Sequence, residues 1–312
     1  MPKVAFLVPA SSDARFYSEI AAINLAMKAL PWRRWEPALC VTMGSRMPSA
    51  NEEDSFDRWR AYVREVDFTY VAEARWERMG NWDQVDSTLR LAPRDADVYV
   101  TLDADTLPVS GLENVLDEAH ATQSIAGVMA HYPPPQFNSS VQGWWDLAEK
   151  LKAKPLDCSF NYSLVGADEP EERRKTPIYF NGGVVFYAKK CFERIVGPYL
   201  ALRAKLYEHL GVWTEFSGQI AMPFAVAESD LPAYTLPMRY NYPNDDAAIP
   251  LHPGELENTV IFHYLRDEAF DRHKIFTSAT EYDAFLGMSL TGTNLAFQNA
   301  VRRSLGPTYP FR

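Results

Sequence analysis

Apolar residues run along this chain in two rhythms. Val4 to Val8 is a short unbroken apolar run closed by Pro9, the pattern of a strand buried on both faces. Phe16, Ile20, Ile23, Met27 and Leu30 then recur at intervals of four and three, which places them on one face of a helix. Pro9-Ala10-Ser11-Ser12-Asp13 supplies the turn and several N-cap residues between them, and Pro31 ends the helix. Leu39 to Met43 predicts a second strand. Phe56, Trp59 and Val63 predict the apolar side of a second helix, and Phe68 to Val71 a third strand. Strand, helix, strand, helix is the order of a parallel sheet with crossovers.

Val98 to Leu102 is the next buried run, and it stops abruptly in Asp103-Ala104-Asp105. Side chains two apart on an extended chain point the same way, and the carboxyl ends of strands in open α/β sheets form the ligand crevice. Asp103 and Asp105 can therefore face one ion. Without a cation the two carboxylates would repel and one would protonate. The plain alternative is a strand end with a solvated acidic turn.

A helix around Leu112 to His120 and a strand around Ile125 to Met129 continue the pattern, which then breaks. From Pro133 to Lys175 the chain carries three consecutive prolines, Trp144-Trp145 and a charged run from Asp168 to Arg174. This insertion is either a lid or acceptor surface, or an excursion whose tryptophans pack on the core. Order returns at Ile178 to Ala188, where Asn181-Gly182-Gly183 interrupts a strand pattern, as at a bulge or a backbone approached closely by a ligand. A helix through Leu210 follows, then Trp213 to Val226 with Glu215, Ser217 and Gln219. Thr259 to Phe262 predicts a buried strand ending in His263, Glu281 to Leu305 reads as helical, and Tyr309-Pro310-Phe311 as a docking tail.

At 312 residues and 47% hydrophobic the chain can bury a large core, and we expect one domain. A net charge of −10 argues against a nucleic-acid partner. Cys40, Cys158 and Cys191 are an odd number without metal-ligand spacing and read as buried thiols in a reducing compartment. No apolar run approaches the about 20 residues of a membrane span. A cytoplasmic protein is expected, with peripheral membrane contact left open. Neither a dinucleotide fingerprint nor a P-loop is present.

Leu102-Asp103-Ala104-Asp105-Thr106-Leu107, Tyr179-Phe180-Asn181-Gly182-Gly183, Gly218-Gln219, Leu236-Pro237 to Tyr240-Asn241 and Phe262-His263-Tyr264 follow one another in a familiar order. Together they resemble the GT-A type of nucleotide-sugar-dependent glycosyltransferase. The nearest likeness is to retaining glycosyltransferase family 8, which contains glycogenin and the bacterial lipopolysaccharide galactosyltransferases. The likeness spans roughly Pro2 to Lys274. It implies an α/β fold with a Rossmann-like mixed sheet flanked by helices, an inserted loop region and C-terminal helices. Residues 1–130 would form a nucleotide-binding half, and residues 131–312 an acceptor-side half with those helices.

The resemblance implies that Asp103, Asp105 and His263 hold a metal, Mn2+ or Mg2+, that bridges the diphosphate of a nucleotide-sugar donor, a UDP-sugar being favoured. A mixed oxygen and nitrogen shell suits manganese better than calcium. Asn181 and Gln219 would line the sugar, with Ala104, Gly182 and Gly183 leaving room for the donor. Ala10, Ser11, Tyr17 and Arg90 are expected on the nucleotide. Here Gly182 stands where the family commonly has Ser, and Gly218 where it has Asp. Tyr264-Leu265-Arg266-Asp267 replaces the family's Gly-x-Lys, so Arg266 or Lys274 is the expected phosphate cation.

The activity implied is transfer of the sugar to a glycan or other hydroxyl acceptor with retention. An inverting route would need a carboxylate base, for which Glu215 or Asp230 is available. The alternatives are a sugar nucleotidyltransferase, whose glycine-rich basic loop Pro9 to Asp13 lacks, and a GT-A-like domain that only binds a sugar or a protein.

Overall fold

The computed structural model describes residues 1–11, 13–44, 58–71, 82–134, 140–210 and 216–311. Strand β1 (Lys3–Ser11) leads through helix α1 (Ala14–Ala29) to β2 (Glu36–Gly44) and β3 (Asp67–Val71), and α2 (Trp82–Leu91) precedes β4 (Val98–Leu102). Then come β5 (Thr106–Pro108), α3 (Glu113–Thr122), β6 (Ile125–Met129), α4 (Val141–Leu151), β7 (Phe160–Asn161) and β8 (Lys175–Thr176). Strand β9 (Phe180–Ala188), α5 (Lys189–Leu210), α6 (Ser217–Ser229), β10 (Ala233–Thr235), β11 (Tyr242–Pro243) and β12 (Ile261–His263) follow. Helices α7 (Ala279–Gly287) and α8 (Gly292–Leu305) close the chain.

Seven strands form the main sheet in the order β10-β6-β9-β4-β1-β2-β3. The order reverses beside β1: the chain winds outward through β2 and β3, then returns to place β4 on the other flank. That reversal is the topological switch at which open α/β sheets form their crevice. Strand β9 runs antiparallel to both β4 and β6, which makes the sheet mixed. A period of two sorts the side chains between the faces. Val4, Phe6, Val8, Val98 and Val100 join the core that holds Ile20 and Ile23 of α1, whereas Ala5, Leu7 and Tyr99 join the core that holds Ile195 and Phe224.

Pro9 does not end the first strand. The β1–β2 ladder runs on through Pro9 opposite Thr42, but the β1–β4 ladder stops at Leu7 opposite Thr101. Beyond Leu7 the strand has a free side, where a residue without an N–H forfeits no bond. Here β1 and β4 part and a cleft opens. Asp13 caps α1, its Oδ1 accepting from the Phe16 N–H at 3.0 Å.

Three expectations change in detail. The second helix is described only as a turn over residues 58–60 beside buried Trp59 and Val63, and Phe56 lies outside the described residues. The C-terminal stretch is two helices, and Asp246 Oδ1 accepts from both the N–H and the Oγ1 of Thr293 at 2.7 Å at the start of the second. Gly292, at φ +54°, leaves room for that carboxylate. Of the cysteines only Cys191 is buried, Cys40 and Cys158 being half-buried. The β6–β9 register shifts between Gly127 opposite Val185 and Met129 opposite Phe180, so the extra residues are those of β9 around Asn181-Gly182-Gly183, where the sequence predicted a bulge or a close approach.

The insertion packs. Trp144 is buried, with its indole N–H donating to the Tyr162 hydroxyl at 3.1 Å and its ring 5.2 Å from that of Tyr179. Trp145 is exposed. The C-terminal tail docks on its own chain, Tyr309 donating to the Phe276 carbonyl at 3.0 Å and Phe311 lying 5.3 Å from Trp59. No helix among the described residues is long and apolar enough to cross a membrane.

Candidate functional site

The tip of β4 is fixed from three sides. The Asp103 N–H extends the ladder by one residue, donating to the Gly183 carbonyl at 2.9 Å. The Asp103 carbonyl then accepts from the Thr106 hydroxyl at 2.7 Å, which tightens the turn into β5. Tyr264 closes the loop from outside: its N–H donates to the Asp105 carbonyl at 3.0 Å and its hydroxyl to the Ala104 carbonyl at 3.3 Å. With the backbone held in this way, Asp103 and Asp105 have little freedom except at their carboxylates.

A second sheet brings in the histidine. Strand β12 pairs antiparallel with β5 so that His263 stands opposite Thr106, beside Asp105. His263 Nε2 lies 3.3 Å from Asp105 Oδ1 and 3.8 Å from Asp103 Oδ2. Its Nδ1 lies 3.0 Å from Asn241 Oδ1. With Nδ1 donating to Asn241, Nε2 turns its lone pair toward two carboxylates, the arrangement of an imidazole metal ligand held by a neighbour.

That arrangement needs positive charge between its members. Burial alone would lower the His263 pKa, but the Asp105 and Asp103 carboxylates outweigh it and raise it. Partial burial and the Asp105 charge push Asp103 up to about 6. Burial opposes ionisation of Asp105 too, yet His263 and Arg272 hold it below the ordinary carboxylate range. The three donor atoms lie within 4.8 Å of one another. Gly183 leaves the space they need, since a Cβ there would come 2.4 Å from His263 Cε1 and 3.1 Å from Asp103 Oδ2. The chemistry and spacing of this donor set fit a divalent cation.

The cluster lies on the wall of a cleft of about 320 Å³, the size range of small-molecule sites. Pro9, Arg15 and Phe16 line it from the β1–α1 side, Thr88 and Leu89 from α2, and Gly182 and Gln219 from β9 and α6. Gln219 packs over Gly182, where a Cβ would meet its Cγ at 3.2 Å. The glycine pair thus admits two side chains of the protein itself, His263 and Gln219, where the sequence suggested a ligand.

The other expected residues divide. Asp103, Ala104, Asp105, Gly182 and Gln219 all face the cleft. Asn181 is buried, and its Oδ1 accepts from the Gly183 N–H at 3.0 Å. Ala10 is buried and Ser11 half-buried at the end of β1, and Tyr17 packs 6.3 Å from Phe68. Arg90 is exposed at the end of α2, while Thr88 and Leu89 of that helix reach the cleft. Arg266 pairs with Asp245 at 2.9 Å and lies 5.8 Å over the Tyr132 ring. Lys274 is 60% exposed and pairs with Asp271 at 2.8 Å. Glu215 lies outside the described residues.

Two residues escaped the sequence reading, and a third was read only as part of a motif. Arg272 is ion-paired with Asp105 Oδ2, Arg15 lines the cleft, and Asn241 holds His263. A basic residue was expected after the histidine, but nothing in the local sequence separates Arg272 from Arg266 and Lys274.

No protein-family model matches this chain, and no curated protein matches it by sequence. Solved structures do match. The galactosyltransferase LgtC, in complex with donor and acceptor sugar analogs, shares 13% identity over 85% of this chain and 87% of that one, at a TM-score of 0.51. An active-site mutant of LgtC, with a glutamine changed to glutamate, gives 14% over the same shares at 0.52. The apo structure of the bifunctional glycosyltransferase WbbM shares 12% over 99% of this chain and 50% of that one, at 0.50. At such identities the likeness establishes the fold: this chain has the GT-A type glycosyltransferase fold that the sequence led us to expect.

Proposed function

We propose that this GT-A fold carries a metal-dependent glycosyltransferase, which moves a sugar from a nucleotide diphosphate donor, UDP-sugar first, to a hydroxyl acceptor with retention. One observation carries the reading: Asp103, Asp105 and His263, from opposite ends of the chain, converge at the switch point of the sheet on a cleft whose other wall bears Gln219.

When bound by Asp103, Asp105 and His263, Mn2+ or Mg2+ supplies Lewis-acid stabilisation of the departing diphosphate. The chain's own residues do the rest. Asn241 fixes the His263 ring. Tyr264 and Thr106 keep the two carboxylates in place, so no reorganisation is needed when charge develops. Arg15, Phe16 and Pro9 at the open end of β1 suit the nucleotide, and Gly182 and Gln219 the sugar. The LgtC mutant shows that a glutamine belongs to that enzyme's active site, which supports the same station for Gln219.

Retention accords with an amide, not a carboxylate, beside Gly182. Asp230 is poorly placed as an inverting base, since it caps the far end of α6, roughly 16 Å along the helix from Gln219 at about 1.5 Å per residue. On the acceptor side, exposed Tyr132 offers a ring of the kind that sugars stack against, with Arg266 beside it.

The test is calorimetric binding of UDP, GDP, TDP and CDP with Mn2+ and with chelator. One nucleotide is expected to bind in a cation-dependent way. Binding that ignores the cation, or no binding, would refute the reading. Product anomer, read by NMR, then decides retention.

A further inference from the structure

Arg272 is a charged group at this centre that the proposed chemistry does not employ as a ligand. It sits on the irregular segment after β12, between the buried anchors Phe270 and Phe276. Its Nη1 is ion-paired with Asp105 Oδ2, while Asp105 Oδ1 faces His263. Its Nε lies 3.3 Å from Asp267 Oδ1 and is a buried donor without a hydrogen-bond partner. The side chain is 20% exposed, has many rotamers and is held by charge.

Two cations therefore compete for one carboxylate. A divalent ion sharing Asp105 with Arg272 is repelled by it, and like charges a few ångströms apart in a partly buried site cost heavily. Once an anion with paired oxygens arrives, the same guanidinium has a better partner, because it binds phosphates through two parallel N–H bonds. Resting on the metal-centre reading above, we propose that Arg272 is a displaceable counter-charge. It occupies Asp105 while the cation is absent and passes to the donor's diphosphate when both are bound. Cation and nucleotide then bind cooperatively, and by linkage each raises the affinity of the other by the same factor. Arg272 would thus act as the phosphate cation expected after the histidine, with the added property of guarding the empty centre.

The experiment measures Mn2+ affinity by electron paramagnetic resonance of the free ion, on wild type, Arg272→Gln and Arg272→Lys. Each is titrated with and without whichever of UDP, GDP, TDP and CDP binds in the calorimetric screen. In Arg272→Gln, Mn2+ alone is expected to bind about tenfold tighter. The strengthening of Mn2+ binding by nucleotide, tenfold or more in wild type, is expected to shrink to about twofold or less. Arg272→Lys, which keeps the charge but not the paired donors, should retain part of the coupling. A folding defect cannot imitate a gain in affinity. Unchanged or weaker Mn2+ binding in Arg272→Gln with the coupling intact overturns the counter-charge. If wild type binds a nucleotide but neither it nor the variants bind Mn2+, the metal centre itself falls, and this inference with it.

Discussion

Two regions meet at the same three side chains and are built on opposite plans. The tip of β4 is a strand end still on the β9 ladder through Asp103, with its turn fastened by Thr106 and Tyr264. The segment after β12 has no regular structure from Tyr264 to Ser278, rests on Phe270, Ile275 and Phe276, and reaches the centre by the ion pairs of Arg272. Backbone hydrogen bonds fix a position; ion pairs on a long side chain fix a charge and leave its position adjustable. A metal centre needs the first property and a group that exchanges partners needs the second.

Substitutions can break this contrast, starting with the rigid side. Asp105→Asn removes a ligand and the partner of Arg272 together, and cation-dependent nucleotide binding should fall by on the order of 100-fold or more, read by calorimetry. Asn241→Ala leaves every ligand in place but frees the His263 ring, and Mn2+ affinity should drop by about 10- to 100-fold with the fold intact by circular dichroism. An equal effect on binding without Mn2+ would show that Asn241 serves the fold and not the centre. Gly183→Ala drives a Cβ against His263 Cε1 and should cost about 1–3 kcal/mol in denaturant unfolding, because strand and imidazole cannot both yield easily. A neutral result would mean that the centre is looser than the geometry implies.

Acid sharpens the comparison further. Asp103, at about 6 without a cation, and His263, also raised, must both release protons to act as ligands. Mn2+ affinity should therefore weaken as pH falls through 6, by about tenfold per unit for each proton displaced. Stability of the cation-free protein runs the other way for Asp103: its pKa is above the ordinary 3.8, so that group adds stability as pH falls from about 6 toward 4. Asp105, held below its ordinary range, contributes stability above that range and loses it only in stronger acid. A Mn2+ affinity flat between pH 7.5 and 5 would exclude these ligands. The smallest effect belongs to the irregular segment. Lys274→Ala, whose ammonium pairs with Asp271 in solvent, should change nucleotide affinity less than about twofold and stability within about 0.5 kcal/mol.

Much of the fold was legible because its signals are local. The runs Val4 to Val8 and Val98 to Leu102 are short and wholly apolar, and the spacing of Phe16, Ile20, Ile23 and Met27 can serve only one helical face. The contact that fastens the start of the last helix was not legible, since Asp246 reaches it from far along the chain. Nor was the use of Gly182 and Gly183: the sequence marked a close approach, but only the packing shows that His263 and Gln219 are what approaches.

The sequence by itself determined the strands, the crossover order and the carboxylate pair at a buried strand's end, since those follow from side-chain period and from where an apolar run stops. Tertiary structure alone decided which distant groups those carboxylates would meet. The pairing of β12 with β5 delivers His263, the turn before β11 delivers Asn241, and the apolar anchors of an irregular segment choose Arg272 over Arg266 and Lys274. Local sequence carries no trace of that choice, because all three are basic residues on one loop, and what separates them is which anion the packed chain sets within reach.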